Sequence, residues 1–284
     1  MPSPDIPALL QRYGLRPQKS LGQNFLIDET ALRLVVDAAG IQTGQQVLEI
    51  GPGLGSLTCL LAERASRVVC VELDQHLLPP LAEVLQAYPN VQIVQGDILA
   101  LDPSALMSGA GQSTYLVVAN IPYYITSALV RHLLESRLPP QSLVLTVQRE
   151  VAQRLCAAPG DMSLLALSVQ VYGNPQIVAR IPAGAFYPPP KVDSAVIRVS
   201  LYAAPVIPKA QLRAFFRLAK AGFSQKRKTL RNALSAGMRW SPAQAAELLS
   251  ANAIDPMRRA ETLSLDEWKG LVETTGSLTP HDHQ

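Results

Sequence analysis

The sequence predicts an α/β fold, in which a mostly parallel, doubly wound sheet is followed by a small all-helical C-terminal domain. Short runs of β-branched and aliphatic residues alternate with amphipathic segments in the first half of the chain, as expected for parallel strands joined by helices. Beyond Pro205 and Pro208 the pattern is helical only. The 284 residues, 48% of them apolar, can bury the core of one large domain or of two smaller ones.

Seven strands are predicted from apolar runs of strand length. Five of them are Val47–Ile50, Val68–Glu72, Val91–Val94, Tyr115–Ala119 and Leu143–Val147, and Ile177–Ile181 and Ala195–Leu201 are expected to close the sheet.

Three helices are predicted between these strands. They are Leu57–Ala65, a helix from the N-cap Asp74 to about Tyr88, and Thr126–Glu135. Pro79 and Pro80 are expected to disturb the second of these or to restart it, because proline lacks the N–H that continues a helix.

The C-terminal region is predicted to form four helices. They are Gln211–Ala221, Thr229–Ser235, Pro242–Leu249 and Leu265–Val272. The chain is therefore expected to divide into a first domain, 1–204, with an N-terminal extension, and a helical domain, 205–284.

Composition excludes several classes of protein. Only 17% of residues are charged, which argues against disorder. The apolar runs are too short to span a membrane, and the N-terminus lacks a signal-peptide core. Three scattered cysteines and four histidines form no metal-binding spacing. We therefore expect a cytoplasmic protein with no metal and no membrane partner.

Basic residues are concentrated in one stretch near the C-terminus. Between Val206 and Asn232 there are eight of them and no acid: Lys209, Arg213, Arg217, Lys220, Lys226, Arg227, Lys228 and Arg231. A smaller set, Arg12, Arg16 and Lys19, lies near the N-terminus. A solvated helix face is the simpler alternative, but the absence of acids over this length favours a nucleic-acid partner.

The tetrapeptide Asn120-Ile121-Pro122-Tyr123 ends an apolar strand with three chemically distinct groups. The amide oxygen can accept hydrogen bonds, the proline stiffens the turn, and the phenol ring offers a flat face for stacking. This set suits the exocyclic amine of a nucleobase. A plain turn after a strand is the alternative, because asparagine and proline are common there.

A glycine-rich segment, Glu49–Gly55, follows the first predicted strand. Glycines allow a ligand to approach the backbone at the carboxyl end of a strand, where such sheets bind ligands. The G-x-G-x-G spacing differs from the dinucleotide fingerprint, and Pro52 removes one donor. A dinucleotide-dependent oxidoreductase is therefore disfavoured.

Polar residues at consecutive strand ends indicate which kind of ligand the glycine-rich segment binds. Glu72 can accept the two hydroxyls of a ribose, and Asp97 can accept from an adenine amino group. Each could instead be a helix cap or turn residue. Gly51, Glu72, Asp97 and Asn120 together form the arrangement of an S-adenosylmethionine site.

Five motifs resemble those of the small-subunit (16S) ribosomal RNA adenine dimethyltransferases over nearly the whole chain. They are Leu21–Asp28, Glu49–Thr58, Asn120–Tyr123, Phe186–Ser194 and Gly222–Asn232. The resemblance implies a Rossmann-like class I methyltransferase sheet and S-adenosylmethionine as cofactor. Two departures affect the pocket wall and a loop: Tyr124 stands where a smaller polar residue is common, and Ser163–Ala166 replaces a Tyr-Gly-Arg sequence.

The resemblance also implies roles for individual residues. Cofactor-binding residues would be Asn24, Leu26, Gly51, Gly53, Glu72, Asp97 and Asn120. Catalytic residues would be Asn120, Ile121, Pro122, Tyr123 and Phe186, with Tyr123 and Phe186 beside the target adenine. The basic stretch described above, and not the resemblance, supplies the expected RNA-binding residues, which are Lys220, Lys226, Arg227, Lys228 and Arg231. The Asn120 side-chain oxygen and the Ile121 carbonyl would accept the two hydrogens of the adenine amine and align it for attack.

The implied activity is N6-dimethylation of two adjacent adenosines in a hairpin near the 3′ end of 16S rRNA. The expected partner is that RNA within the small ribosomal subunit. The enzyme is expected to be a monomer and to have a role in subunit biogenesis. Two alternatives remain at this point. One is a 23S rRNA adenine methyltransferase of the antibiotic-resistance type, and the other is a non-catalytic assembly or transcription factor with the same fold.

Overall fold

The computed structural model describes residues 4–108, 114–121 and 126–278. The chain divides into two compact units. The first comprises Met1–Ala152 and Asn174–Leu201, and the second comprises Gln153–Gly173 and Tyr202–Gln284. The predicted boundary at 204/205 lies close to the observed 201/202 division, but the prediction did not assign 153–173 to the second unit.

A seven-stranded sheet forms the centre of the first unit. Its strands are β2 (Gln46–Ile50), β3 (Arg67–Glu72), β4 (Val91–Gln95), β5 (Tyr115–Asn120), β6 (Ser142–Gln148), β7 (Gly173–Ile181) and β9 (Ser194–Leu201). They lie in the order β4-β3-β2-β5-β6-β9-β7. Strands β2 to β6 pair in parallel, and β9 is antiparallel to β6. The predicted α/β class and mostly parallel sheet are confirmed.

The helices of the first unit connect and cover these strands. They are α1 (Ile6–Arg12), α2 (Glu29–Ala39), α3 (Ser56–Ala62), α4 (Leu78–Leu85), α5 (Pro103–Met107) and α6 (Thr126–Leu134), while α7 (Arg149–Leu155) crosses into the second unit. The apolar faces of α2 and α3 join the sheet in one buried cluster. Burial on both faces explains why β5 reads as a continuous apolar run and why every residue of β2 is buried, including the polar Gln46 and Glu49.

The restart of the helix at the two prolines is confirmed. Asp74 caps a short 3-10 helix, Gln75–Leu77, by accepting from the backbone N–H of His76 at 3.0 Å. Helix α4 then begins at Leu78 with proline in its first turn, where no intrahelical N–H is needed.

The N-terminal segment contributes structure that the sequence patterns did not predict. Strand β1 (Phe25–Leu26) pairs antiparallel with β8 (Phe186–Tyr187) in a separate two-stranded sheet. Helix α1 buries Ile6, Leu9 and Leu10 in a small apolar cluster with Phe25, Leu54 and Leu77. The N-terminal segment therefore packs on the loop after β2.

The second unit is helical. It contains α8 (Leu164–Gln170), α9 (Leu212–Phe223), α10 (Leu230–Met238), α11 (Pro242–Ala251) and α12 (Leu265–Leu278). Helix α9 buries Phe215 and Leu218, and the ring of Phe223 stacks on Trp268 of α12 at 5.9 Å. The four predicted C-terminal helices are present, and α8 was not predicted.

Candidate active site

A cavity of about 290 Å³ lies at the carboxyl ends of the central parallel strands. Because the sheet order is β4-β3-β2-β5, the residues that end or follow these strands succeed one another along one edge as Asp97, Glu72, Gly51 and Asn120. All four line the cavity. The structure thus brings together the four strand-end residues that the sequence singled out.

Glu72 organises the centre of this edge. Its side chain is buried, with Oε2 accepting from the backbone N–H of Gly53 at 3.0 Å and Oε1 from that of Asp74 at 2.8 Å. Burial raises the pKa of this carboxyl, and the two N–H donors oppose that shift by stabilising the charged form. The carboxylate is therefore fixed in position and faces the cavity.

Two glycines of the loop after β2 are required for different reasons. Gly51 has φ +71°, and a Cβ added there would meet only the backbone oxygen of Asn120, at 3.7 Å. Gly53 has φ +59°, and its added Cβ would lie 2.9 Å from the ring of Phe25. At Gly51 only the backbone conformation excludes a side chain, whereas at Gly53 the Phe25 ring does so as well.

Asn120 contacts the N-terminal segment directly. Its Nδ2 donates to the backbone oxygen of Asn24 at 3.2 Å, and the Asn24 side chain donates to the oxygen of Gly22 at 3.1 Å. An amide nitrogen only donates, so this bond does not use the Asn120 side-chain oxygen, which can accept a hydrogen bond from a ligand.

Leu26 and Phe186 are neighbours across the small sheet, where their Cα atoms form a register pair. Both are almost fully buried, at 4% and 3% exposure, and both line the cavity. Phe186 therefore belongs to the core as well as to the cavity wall. Its predicted place beside a target base stays a prediction.

The end of the target-amine motif is only partly described. Ile121 is buried and lines the cavity. Pro122, Tyr123 and Tyr124 lie outside the described residues, so the predictions for Pro122 and Tyr123 and the departure at Tyr124 have no structural account.

Glu49 is a site residue whose role the sequence patterns did not reveal. It is 1% exposed and lines the cavity, and its Oε2 has no hydrogen-bond partner among the described residues. Burial raises the pKa of its carboxyl to about 8. An acid inside the apolar run Val47–Ile50 was the available signal. Apolar lining residues such as Leu73 and Ile98 carried no comparable signal.

The predicted RNA-binding residues lie in the second unit, around the turn between α9 and α10. Lys220, Lys226, Arg227 and Lys228 are exposed, and Arg231 is half-buried in the first turn of α10. No acid of the described residues forms an ion pair with them. A cation in the first turn of a helix opposes the helix dipole, so the charge of Arg231 is not explained by helix stability, whereas Lys220 in the last turn of α9 favours the dipole of that helix.

The departure at Ser163–Ala166 has a structural role. Ser163 is the N-cap of α8, and its hydroxyl accepts from the backbone N–H of Ala166 at 3.1 Å. These residues therefore begin a helix of the second unit.

The described residues contain neither a metal centre nor a membrane span. No group of three or more His, Cys, Asp or Glu side chains there could hold a metal ion. Across the same part of the chain, no helix has both the length and the apolar character needed to cross a membrane.

Comparison with known proteins shows similarity over most of the chain. The family model for ribosomal RNA adenine dimethylase matches residues 14–274. A ribosomal RNA small subunit methyltransferase A from Dehalococcoides mccartyi (strain CBDB1) is 46% identical over 264 residues, which are 93% of this chain and 90% of the relative. The protein of the same name from Geobacillus thermodenitrificans (strain NG80-2) is 44% identical over 270 residues, 93% of this chain and 92% of the relative.

Solved structures agree with the fold. The 23S rRNA methyltransferase ErmE has a TM-score of 0.71 at 28% identity, over 88% of this chain and 98% of that chain. A dimethyladenosine transferase from Plasmodium falciparum has a TM-score of 0.75 at 23% identity, over 89% of this chain and 98% of that chain. The predicted Rossmann-like methyltransferase fold and the resemblance drawn from the motifs are thereby confirmed. The chain belongs to the ribosomal RNA adenine dimethylase family and is an enzyme of that kind.

Proposed function

We propose that this enzyme transfers methyl groups from S-adenosylmethionine to N6 of two adjacent adenosines, in a hairpin near the 3′ end of 16S rRNA. The observation that carries the proposal is the placement of Asn120 on the same cavity edge as Glu72 and Asp97. One edge can then hold a nucleoside-containing cofactor and present an amine beside it. Relatives of 42–47% identity named for the small subunit favour 16S over 23S rRNA.

The cavity residues fit the cofactor chemically. Glu72 is a fixed, buried carboxylate that suits two ribose hydroxyls, and Asp97 suits an adenine amino group. The Asp97 Oδ1 accepts from the backbone N–H of Leu99 at 2.9 Å, which orients its other oxygen. Gly51 would let the backbone approach the ligand closely, and Gly53 would hold the Glu72 carboxylate through its backbone N–H. Asn24 and Leu26 would cover the ligand from the N-terminal segment. When bound, S-adenosylmethionine supplies an electrophilic methyl group on a sulfonium centre.

Asn120 and Ile121 would activate the target amine. The lone pair of the adenine amine is delocalised into the ring, so the amine is a weak nucleophile. Accepting its two hydrogens at the Asn120 side-chain oxygen and the Ile121 carbonyl would localise that pair and aim it at the methyl group. The same two oxygens would stabilise positive charge that develops on the nitrogen.

The remaining predicted residues would hold the target base and the RNA. Pro122 would stiffen the turn, and Tyr123 and Phe186 would contact the base. The target adenosine must leave its stack, which costs a few kcal/mol and is cheapest in a hairpin loop. Lys220, Lys226, Arg227, Lys228 and Arg231 would contact backbone phosphates. We further propose that the enzyme acts as a cytoplasmic monomer and contributes to small-subunit biogenesis.

One experiment tests the reaction and the choice of RNA together. Purified protein and labelled S-adenosylmethionine are incubated in two separate reactions. One contains small ribosomal subunits that lack the modification, and the other contains large subunits that lack it. We expect label only in small-subunit RNA, recovered as N6,N6-dimethyladenosine from two adjacent positions. Label only in large-subunit RNA would support the 23S alternative, and no label in either would support a non-catalytic factor.

A further inference from the structure

A buried carboxylate at Asp74 connects the N-terminal segment to the cavity, and the roles proposed above do not use it. Asp74 is 6% exposed. Its Oδ2 accepts from the Nε2 of Gln18 at 3.0 Å and from the Nε2 of Gln23 at 2.8 Å. These donors lie 56 and 51 residues away along the chain, so the contact is tertiary.

Both donors belong to residues 18–24, which we call the N-terminal turn. The turn contains the 3-10 helix Lys19–Leu21, which is followed by Gly22 with φ +64°. The backbone N–H of Gln18 donates to Oε1 of Gln23 at 2.7 Å. That bond fixes the Gln23 amide, so its Nε2 points to Asp74. The turn also forms part of the cavity wall through Leu21, Gly22, Gln23 and Asn24.

On its other side, Asp74 is bonded to the centre of the site. Its backbone N–H donates to Glu72 Oε1 at 2.8 Å, and Glu72 Oε2 accepts from Gly53 at 3.0 Å. A continuous series of hydrogen bonds therefore runs from the N-terminal turn through Asp74 and Glu72 to the glycine loop. Hydrogen bonds to a buried charged acceptor are among the stronger ones in proteins.

Capping alone does not account for this arrangement. The cap of the 3-10 helix uses only Oδ1, which accepts from His76, and asparagine would cap equally well. The second oxygen, Oδ2, accepts from the two glutamines of the N-terminal turn. Aspartate can accept hydrogen bonds at both Oδ1 and Oδ2, whereas asparagine has a donating NH₂ group in place of one of these oxygens.

We propose that Asp74 is a positioning residue that keeps the N-terminal turn closed against the cavity and thereby sets the affinity for the cofactor. The proposal rests on the proposed function for the identity of the ligand. If loss of Asp74 lowers the closed population to about a tenth, the apparent Kd rises about tenfold, because only the closed form binds. Turnover at saturating cofactor stays unchanged, since Asp74 does not touch the reacting groups.

The test compares the full-length protein with Asp74→Ala, Asp74→Asn and Gln18→Ala. Amide hydrogen exchange of residues 18–24 is measured without ligand, and S-adenosylmethionine binding is measured by calorimetry. In Asp74→Asn the single oxygen keeps the cap, and the new NH₂ group faces the fixed Nε2 of Gln23. We expect about tenfold faster exchange and a Kd about tenfold higher in both Asp74 variants. Gln18→Ala, which removes one of the two bonds, should give a smaller change in the same direction.

Asp102→Ala is the matched control, because Asp102 caps α5 through Ser104 N–H at 2.9 Å and lies on a different element from the N-terminal turn. It should leave exchange at 18–24 unchanged. Wild-type behaviour of Asp74→Asn would show that Asp74 is only a cap and would overturn the proposal. If Asp74→Ala fails to fold, unchanged exchange of residues 18–24 in Gln18→Ala would also overturn the proposal. Wild-type protein that does not bind S-adenosylmethionine would instead overturn the proposed function, while the exchange data would still decide the role of Asp74.

Discussion

The Nδ2 of Asn120 donates a 3.2 Å hydrogen bond to the backbone oxygen of Asn24, 96 residues earlier in the chain. This contact fixes which end of the Asn120 amide faces a ligand. It also places the N-terminal segment against the strand end that carries the proposed catalytic motif. Asn24 and Asn120 are therefore parts of one site, although one belongs to a terminal segment and the other to the central sheet.

Replacing Asn120 tests the proposed activation of the target amine. Asn120→Ala removes the accepting oxygen, and we expect kcat on unmodified small subunits to fall by about 10²–10³, the usual effect of removing one transition-state hydrogen bond. Initial rates with labelled cofactor measure this. Thermal unfolding should change little, because Asn120 is only half-buried. Near-normal turnover in a folded variant would contradict the proposed role.

Charge reversal in the second unit tests the RNA contact. Changing Lys226, Arg227 and Lys228 to Glu should weaken RNA binding at least about tenfold and lower the salt dependence, by roughly 0.7–0.9 in slope for each phosphate that is no longer neutralised. Filter binding at several salt concentrations measures both effects, and cofactor affinity should not change.

The matched control for charge reversal uses exposed arginines of the first unit that already pair with acids. These are Arg33, Arg64 and Arg131, whose partners are Glu29, Asp37 and Glu135. Their reversal changes the net charge by the same amount. Equal loss of RNA binding in both triple variants would show that total charge matters and that the basic turn is not specific.

The buried acid Glu49 predicts a pH dependence of stability. Because its pKa rises from the usual 4.5 to about 8 on folding, the folded state binds more protons than the unfolded state between these values. The free energy of unfolding therefore falls as pH rises from 4.5 to 8, by up to about 1.4 kcal/mol per pH unit from this group. Glu49→Gln should reduce that slope. The variant should keep part of the slope, because burial raises the pKa of Glu72 as well.

Urea unfolding at about pH 5, 7 and 9 checks this prediction. Relative to the wild type, Glu49→Gln should gain stability progressively from the lowest pH to the highest. Parallel pH profiles for the two proteins would mean that Glu49 ionises normally in the folded state.

The glycine loop offers a paired stability test. Gly51→Ala should cost about 1–2 kcal/mol, from backbone strain at positive φ alone. Gly53→Ala should cost about 1–3 kcal/mol more, because its Cβ also meets the Phe25 ring at 2.9 Å. Chemical denaturation without cofactor gives both values.

Adding Phe25→Ala separates strain from collision. The double variant with Gly53→Ala should recover the excess cost, whereas the double variant with Gly51→Ala should show simple additivity. Equal costs for the two glycine variants, with no recovery, would show that the Phe25 ring moves aside freely.

The main sheet and the candidate site residues at the ends of its strands can be predicted from the sequence without the structure. Apolar runs marked β3 and β5, and a shorter one marked β4. The polar residue that ends or follows each of them was visible directly. Since parallel strands present their carboxyl ends at one edge, the nearness of Glu72, Asp97 and Asn120 followed from connectivity. Such inferences need only local pattern and the geometry of one sheet.

The way in which the N-terminal segment meets that edge depends on contacts between distant parts of the chain. The bonds from Gln18 and Gln23 to Asp74, the packing of Phe25 on Gly53 and the bond from Asn120 to Asn24 all join residues far apart in the chain. Glutamine and asparagine side chains have no preferred partner in sequence, and a two-residue strand has no periodicity. Their positions are set by packing of distant segments, which a local pattern does not encode.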